Sequence, residues 1–173
     1  MSRIRSSAVI VALSGFLTYG VLAQNRGPAP AAKPQTIDLA TARKMVLAAE
    51  QEALKANARV GIAVVDSNGD LVYSERLDGA SPRGTISAQG KARAALLFGL
   101  PTKQVQDIIA SGKPVPAMIT IPPTGASELT INQGGLPILK EGKVIGGIGV
   151  GGSASSEDER FAQTGLDAAF PDK

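Results

Sequence analysis

Apolar and polar positions change rhythm along the chain in a way that predicts the order of elements. Asp38 can cap a helix running to about Ala56, with Leu39, Ala42, Val46, Ala49, Ala53 and Ala56 recurring at steps of three and four opposite Arg43, Lys44, Glu50 and Lys55. Val60 to Asp66 is a β-branched run suited to a buried strand, and Leu71 to Leu77 alternates as its return. Ser67-Asn68-Gly69-Asp70 between them is a hairpin signal, because Asn-Gly tolerates the positive φ of a tight turn. An Ala-rich helix follows from about Gly84 to Phe98 and ends at Gly99, and Pro101-Thr102 opens a third helix ending at Gly112. Lys113 to Glu128 carries four prolines and reads as a surface excursion. Leu136–Lys140 and Lys143–Val150 form a second hairpin around Glu141-Gly142, and Ser156 to Glu159 reads as a capping box for a last helix to Phe170.

The order is α-ββ-αα-ββ-α, with a further strand expected near Leu129 to Gln133. Hairpins in place of crossovers imply an α+β fold, a mainly antiparallel sheet with helices packed on it.

Ahead of this domain (residues 36–173), Arg3 and Arg5 precede an apolar run from Ala8 to Ala23, the pattern of an export signal cut before Gln24. The run is short and interrupted for a membrane span. Residues 24–35, with Pro28, Pro30 and Pro34, read as a flexible linker. Removing Arg3 and Arg5 lowers the formal charge from +3 to +1, which argues against nucleic acid as a partner. The chain has no Cys and no His, so thiol nucleophiles, His-based metal sites and Ser-His-Asp triads are excluded by inventory.

Gly147 to Gly152 matches a G-x-G-x-x-G pattern, but too little chain follows for a second parallel strand, and Glu157, Asp158 and Glu159 crowd the helix start where a pyrophosphate would sit. On a strand, Gly147, Gly149 and Gly151 share one face, opposite Ile148 and Val150. Such a bare face admits close approach by a helix, a flat ligand or another subunit, with the helix favoured. Lys91, one turn after Ser87, and Arg83 are the candidate cations for a carboxylate or phosphate. Arg93 reads as a solvated face. Asp66 and Asp70 flank a turn and are expected to bond local backbone, with Glu75 and Asp78 as further carboxylates. Tyr73, Met118, Thr120, Thr124 and Thr130 are the remaining distinctive donors.

Together, Ile62–Gly69, Arg76–Ser81, Lys91-Ala-Arg93, Gly134–Pro137, Gly142–Val150 and Asp158-Glu159 resemble the GlcG/HbpS family over about Thr36 to Ala169. The resemblance implies a profilin-like sandwich, a homo-oligomer, and binding of haem or a corrinoid. Relatives often carry His after the first hairpin glycine, where this chain has Asp70, so a haem iron would have to accept Tyr73, Met118, a Lys or a Thr oxygen, or remain weakly ligated. Three functions compete. The first is an exported oligomeric protein binding haem or a related tetrapyrrole through Lys91, Arg83, Ser87, Tyr73, Met118, Gly147 and Gly149. The second is a small enzyme in which Lys91 and Arg83 orient an anion and Asp78 shuttles a proton. The third is an oligomerisation module joined through the glycine face.

Overall fold

In the computed structural model, residues 36–115 and 128–171 are described. The elements are α1 (Leu39–Lys55), β1 (Gly61–Asp66), β2 (Leu71–Arg76), α2 (Pro82–Phe98), α3 (Thr102–Ala110), β3 (Gly135–Lys140), β4 (Lys143–Gly151) and α4 (Ser155–Ala169). They confirm the α+β reading. The four strands form one antiparallel sheet in the order β2-β1-β4-β3. Residues 129–133 are not a strand, so that expectation is corrected. The candidate signal (1–23), the linker (24–35) and Met118, Thr120 and Thr124 lie outside the described residues.

Helices cover both faces. Beneath the sheet, α1 and α4 pack against Ile62, Val64, Ile138, Ile148 and Val150, and Phe161 is the largest fully buried side chain. Asp38 caps α1 as expected. Its Oδ1 accepts from the Thr41 backbone amide at 2.7 Å, which holds the carboxyl below its ordinary value. In the first hairpin, Asp66 Oδ1 accepts from the amides of Asn68 (2.8 Å) and Asp70 (3.0 Å). Arg93 reaches that hairpin as well, its Nε donating to the Gly69 carbonyl at 3.1 Å, and so is not the purely solvated charge expected.

Above the sheet lies α2, and small residues on both sides bring it close. Gly84, Ala88 and Ala92 recur every fourth residue along α2 and meet Gly151, Gly149 and Gly147 of β4. A Cβ on Gly149 would run into the Ala88 carbonyl oxygen, and one on Gly147 into that of Ala92. The helix is therefore the neighbour that the glycine face admits. Neither a flat ligand nor a second subunit has access to Gly147 or Gly149, which corrects their assignment as ligand contacts.

At the start of α4 the capping box is displaced. The N-cap is Ala154, which has no side-chain bond to give, and what holds the helix start is Asp158 and Glu157 reaching back to Ser153. Its amide donates to Asp158 Oδ1 (3.1 Å) and its hydroxyl to Glu157 Oε2 (2.6 Å).

Candidate functional site

Ser81 caps α2 by accepting from the Arg83 amide at 3.2 Å, with Pro82 at the first helical position, so the helix begins two residues before the sequence expectation. This first turn opens onto a cleft of about 580 Å³, lined by Ser81, Arg83, Gly84, Ile86 and Ser87 from α2 and by Glu128, Thr130 and Gly152 from the chain around it. The volume falls in the range of small-molecule sites, roughly 300–1,000 Å³. Arg83 has no ion pair or side-chain hydrogen bond among the described residues, and Ile86 is 48% exposed. One wall thus presents an unpaired guanidinium beside a hydroxyl and an open apolar side chain. Thr130 is held against the helix at Gly90, where a Cβ would lie 2.5 Å from its Oγ1.

Arg83, Ser87 and Lys91 follow one another at helical spacing, but the structure divides them. Arg83 and Ser87 line the cleft. Lys91 is 3% exposed, its Nζ donating to Asp158 Oδ2 at 2.8 Å and to the Val150 carbonyl at 2.9 Å. A lysine with its charge matched inside the fold is not offered to an anion, so its role as a ligand cation is corrected. Its burial ties α2 to the end of β4 and the start of α4. Gly134 completes the enclosure, since a Cβ there would stand 2.8 Å from Lys91 Nζ and from Asp158 Cβ.

Tyr73 belongs elsewhere too. On β2 it pairs with Val64 and packs on the α1/α4 core, with the Arg43 guanidinium 5.6 Å from the ring centroid. The sheet separates it from Arg83 and Ser87, which corrects its place in the candidate site. Glu128 and Ile86 were missed as lining residues. Glu128 ends the proline-rich excursion and Ile86 lies in the Ala-rich helix, and neither carries a motif that sets it apart. Asp158 as the lysine's partner carried one usable signal: a lysine amid Gly90, Ala92 and Ala94 is in a buried setting and requires a countercharge.

A second cleft, of about 470 Å³, lies between α1 and β2, lined by Glu50, Leu54, Arg59, Glu75, Arg76, Leu77 and Asp78. Partial burial, and then the charge of Glu50, push the Glu75 carboxyl above its ordinary value. A raised folded value means that Glu75 contributes stability below 4.5, its ordinary value, and loses it as pH rises through the folded value. Glu75→Gln is therefore expected to raise Tm at pH 7, with the gap closing as pH falls below 4.5; thermal denaturation between pH 4 and 7 reads this, and a lower Tm at pH 7 contradicts it.

Among the described residues there is no cluster of three or more metal-ligating His, Cys, Asp or Glu, and no helix long and apolar enough to cross a membrane.

Comparison with known proteins places this geometry. The sequence model of the family described as haem degrading protein HbpS-like matches residues 37–167. Protein GlcG of Escherichia coli K12 is 35% identical over 109 residues, 63% of this chain and 76% of that protein. The crystal structure of HbpS is 33% identical, covers 78% of this chain and 89% of its own, and superposes with a TM-score of 0.65. A crystal structure of a PduOC:heme complex has the same fold, at 23% identity and a TM-score of 0.65, over 76% of this chain and 94% of its own. With the family model matched over residues 37–167, nearly all of the domain, the chain belongs to the HbpS-like family.

Proposed function

We propose that this protein binds haem or a related tetrapyrrole in the cleft at the start of α2, acting after export as an oligomeric binding protein. The observation that carries the proposal is the unpaired Arg83 on the wall of a cleft of ligand size, beside Ser87 and the exposed Ile86. A tetrapyrrole with carboxylate side chains asks for this combination: a guanidinium for a carboxylate and apolar surface for the ring edge. Membership of the HbpS-like family and likeness to a haem complex support the choice of ligand.

The donors in the cleft set the terms of binding. The described lining offers hydroxyls of Ser81, Ser87 and Thr130 and the carboxylate of Glu128, with no nitrogen or sulfur ligand of the usual haem kind. The peripheral groups fit haem, and iron would meet oxygen. When bound, haem supplies an iron centre able to undergo redox change. Arg83 would hold a propionate, Ile86 would shield one edge of the ring from water, and Thr130, fixed against Gly90, would present its hydroxyl from a set position.

Lys91 is committed to Asp158, and α2 covers the glycine face. These contacts take Lys91 from the enzyme reading, which keeps Arg83, and they close the interface through Gly147, Gly149 and Gly151. Export rests on Arg3, Arg5 and the apolar run after them, and is tested by the N-terminus of protein recovered from outside the cytoplasm, expected at Gln24. Oligomerisation is tested by light scattering at micromolar concentration, where a monomer would refute it.

Haemin titration followed at the Soret band tests the ligand. Saturable binding is expected, and Arg83→Ala should weaken it about fivefold or more, the loss of one charge-assisted contact. No saturable change in the spectrum would overturn the proposal.

A further inference from the structure

The second cleft, bounded by α1 and β2, has a charge arrangement that the haem reading leaves unused. Glu50 and Glu75 are both half-buried and line it from opposite elements, while Arg59 and Arg76 line it as well. Four charges of two signs thus border one space, and none pairs with another: among the described residues neither carboxylate nor Arg76 has an ion pair or side-chain hydrogen bond, and Arg59 has only a contact of 3.5 Å to Asn57. Glu52, two residues along α1 from Glu50, shows what the local supply of cations can do, since it pairs with both Lys55 and Arg160. Unpaired opposite charges around an open space suit a ligand that carries both signs.

We propose that this cleft is a second ligand site, for a small zwitterion whose ammonium lies between Glu50 and Glu75 and whose carboxylate is held by Arg59; Arg76 alternates with Glu75 along β2, opposite Gly61 on the α2 side of the sheet, and borders the rim. An ammonium has three donors and fits between two carboxylates, and a guanidinium pairs with a carboxylate through parallel hydrogen bonds. The half-exposed Leu54 and the buried Leu77 supply apolar surface for the carbon chain joining the two ends. Asp78, exposed at the rim, adds a third carboxylate and strengthens the preference for an ammonium at that end. Partial burial first, and then the charge of Glu50, raise the Glu75 carboxyl, and a bound cation would relieve both. This site shares no residue with the α2 cleft, so either reading can fail alone.

The test uses the full chain and calorimetric titration with three six-carbon probes: 6-aminohexanoate, 1,6-diaminohexane and hexanoate. Saturable binding of 6-aminohexanoate is expected, about tenfold tighter than either singly signed probe. Glu75→Gln and Arg59→Gln should each weaken it about tenfold, while Arg83→Ala leaves it unchanged. Because Glu75→Gln is expected to be no less stable than the parent at pH 7, a loss of binding in that variant reports the site and not the fold. No saturation by about 10 mM, equal binding of the diamine, or binding unaffected by Glu75→Gln would each overturn the proposal.

Discussion

Gly149→Ala is expected to cost about 3 kcal/mol or more, at the upper end of what overpacking does to a core. The added methyl would collide with the Ala88 carbonyl oxygen and stand 2.6 Å from the Ala92 amide nitrogen. Both obstacles are backbone atoms of α2, so no rotamer change can clear them. The helix would have to lift from the sheet, opening its packing against β1 and β3 as well as β4. With typical domain stabilities of about 5–15 kcal/mol, Tm should fall by roughly 6–12 °C. Gly142→Ala is the control. That glycine sits at φ +74° in the second hairpin with nothing within 4 Å of a Cβ, so only backbone strain of roughly 1–2 kcal/mol applies. If chemical denaturation finds Gly149→Ala no worse than Gly142→Ala, the close approach of α2 to β4 is wrong.

The second large effect is expected at Lys91 and Asp158. Removing one partner of a buried ion pair leaves the other charge without a countercharge, and Lys91→Met or Asp158→Asn should each cost about 3–5 kcal/mol. Lys91→Met strands a carboxylate that is 2% exposed and takes away a donor to the Val150 carbonyl. Asp158→Asn keeps an oxygen for the Ser153 amide but strands the ammonium. The double variant carries neither charge and should cost at least about 2 kcal/mol less than the sum of the two, which a double-mutant cycle measures directly. Strict additivity would mean that the two charges do not meet. The same buried contact governs the reading of any haem titration. A Lys91 variant that loses haem would be reporting disruption beneath α2, whereas Arg83 can be changed at the surface.

The architecture was legible because local chemistry agreed with it. Asn68-Gly69 and Glu141-Gly142 both make hairpin turns, and Glu141 and Gly142 both adopt positive φ. Ala42, Val46, Ala49 and Ala53 of the expected α1 stripe are buried, with Met45 added and Leu39 and Ala56 at its ends exposed, and Gly99 ends α2 in the left-handed conformation. The repeated glycines of β4 correctly signalled a close neighbour, but spacing within one strand does not say which neighbour arrives. The stripe Arg83-Ser87-Lys91 showed the same limit. Helical spacing puts three side chains on one face, yet what covers each turn of that face depends on Asp158, 67 residues beyond Lys91. Tyr73 was grouped with them by donor type, and only the register that sets it opposite Val64 places it across the sheet. The cap expected at Ser156 was misplaced for a local reason. Several serines and acids in a row allow more than one frame, and Asp158 bonds both Lys91 and the Ser153 amide, the first a long-range contact that the local pattern does not show.

Locating the iron decides the central claim. Crystals of the protein saturated with haemin, measured across the iron absorption edge, should give an anomalous peak in the cleft bordered by Arg83, Ser87 and Thr130, with density for a propionate against the Arg83 guanidinium. An ordered iron peak elsewhere, or saturated crystals with a haem-free cleft, would contradict it.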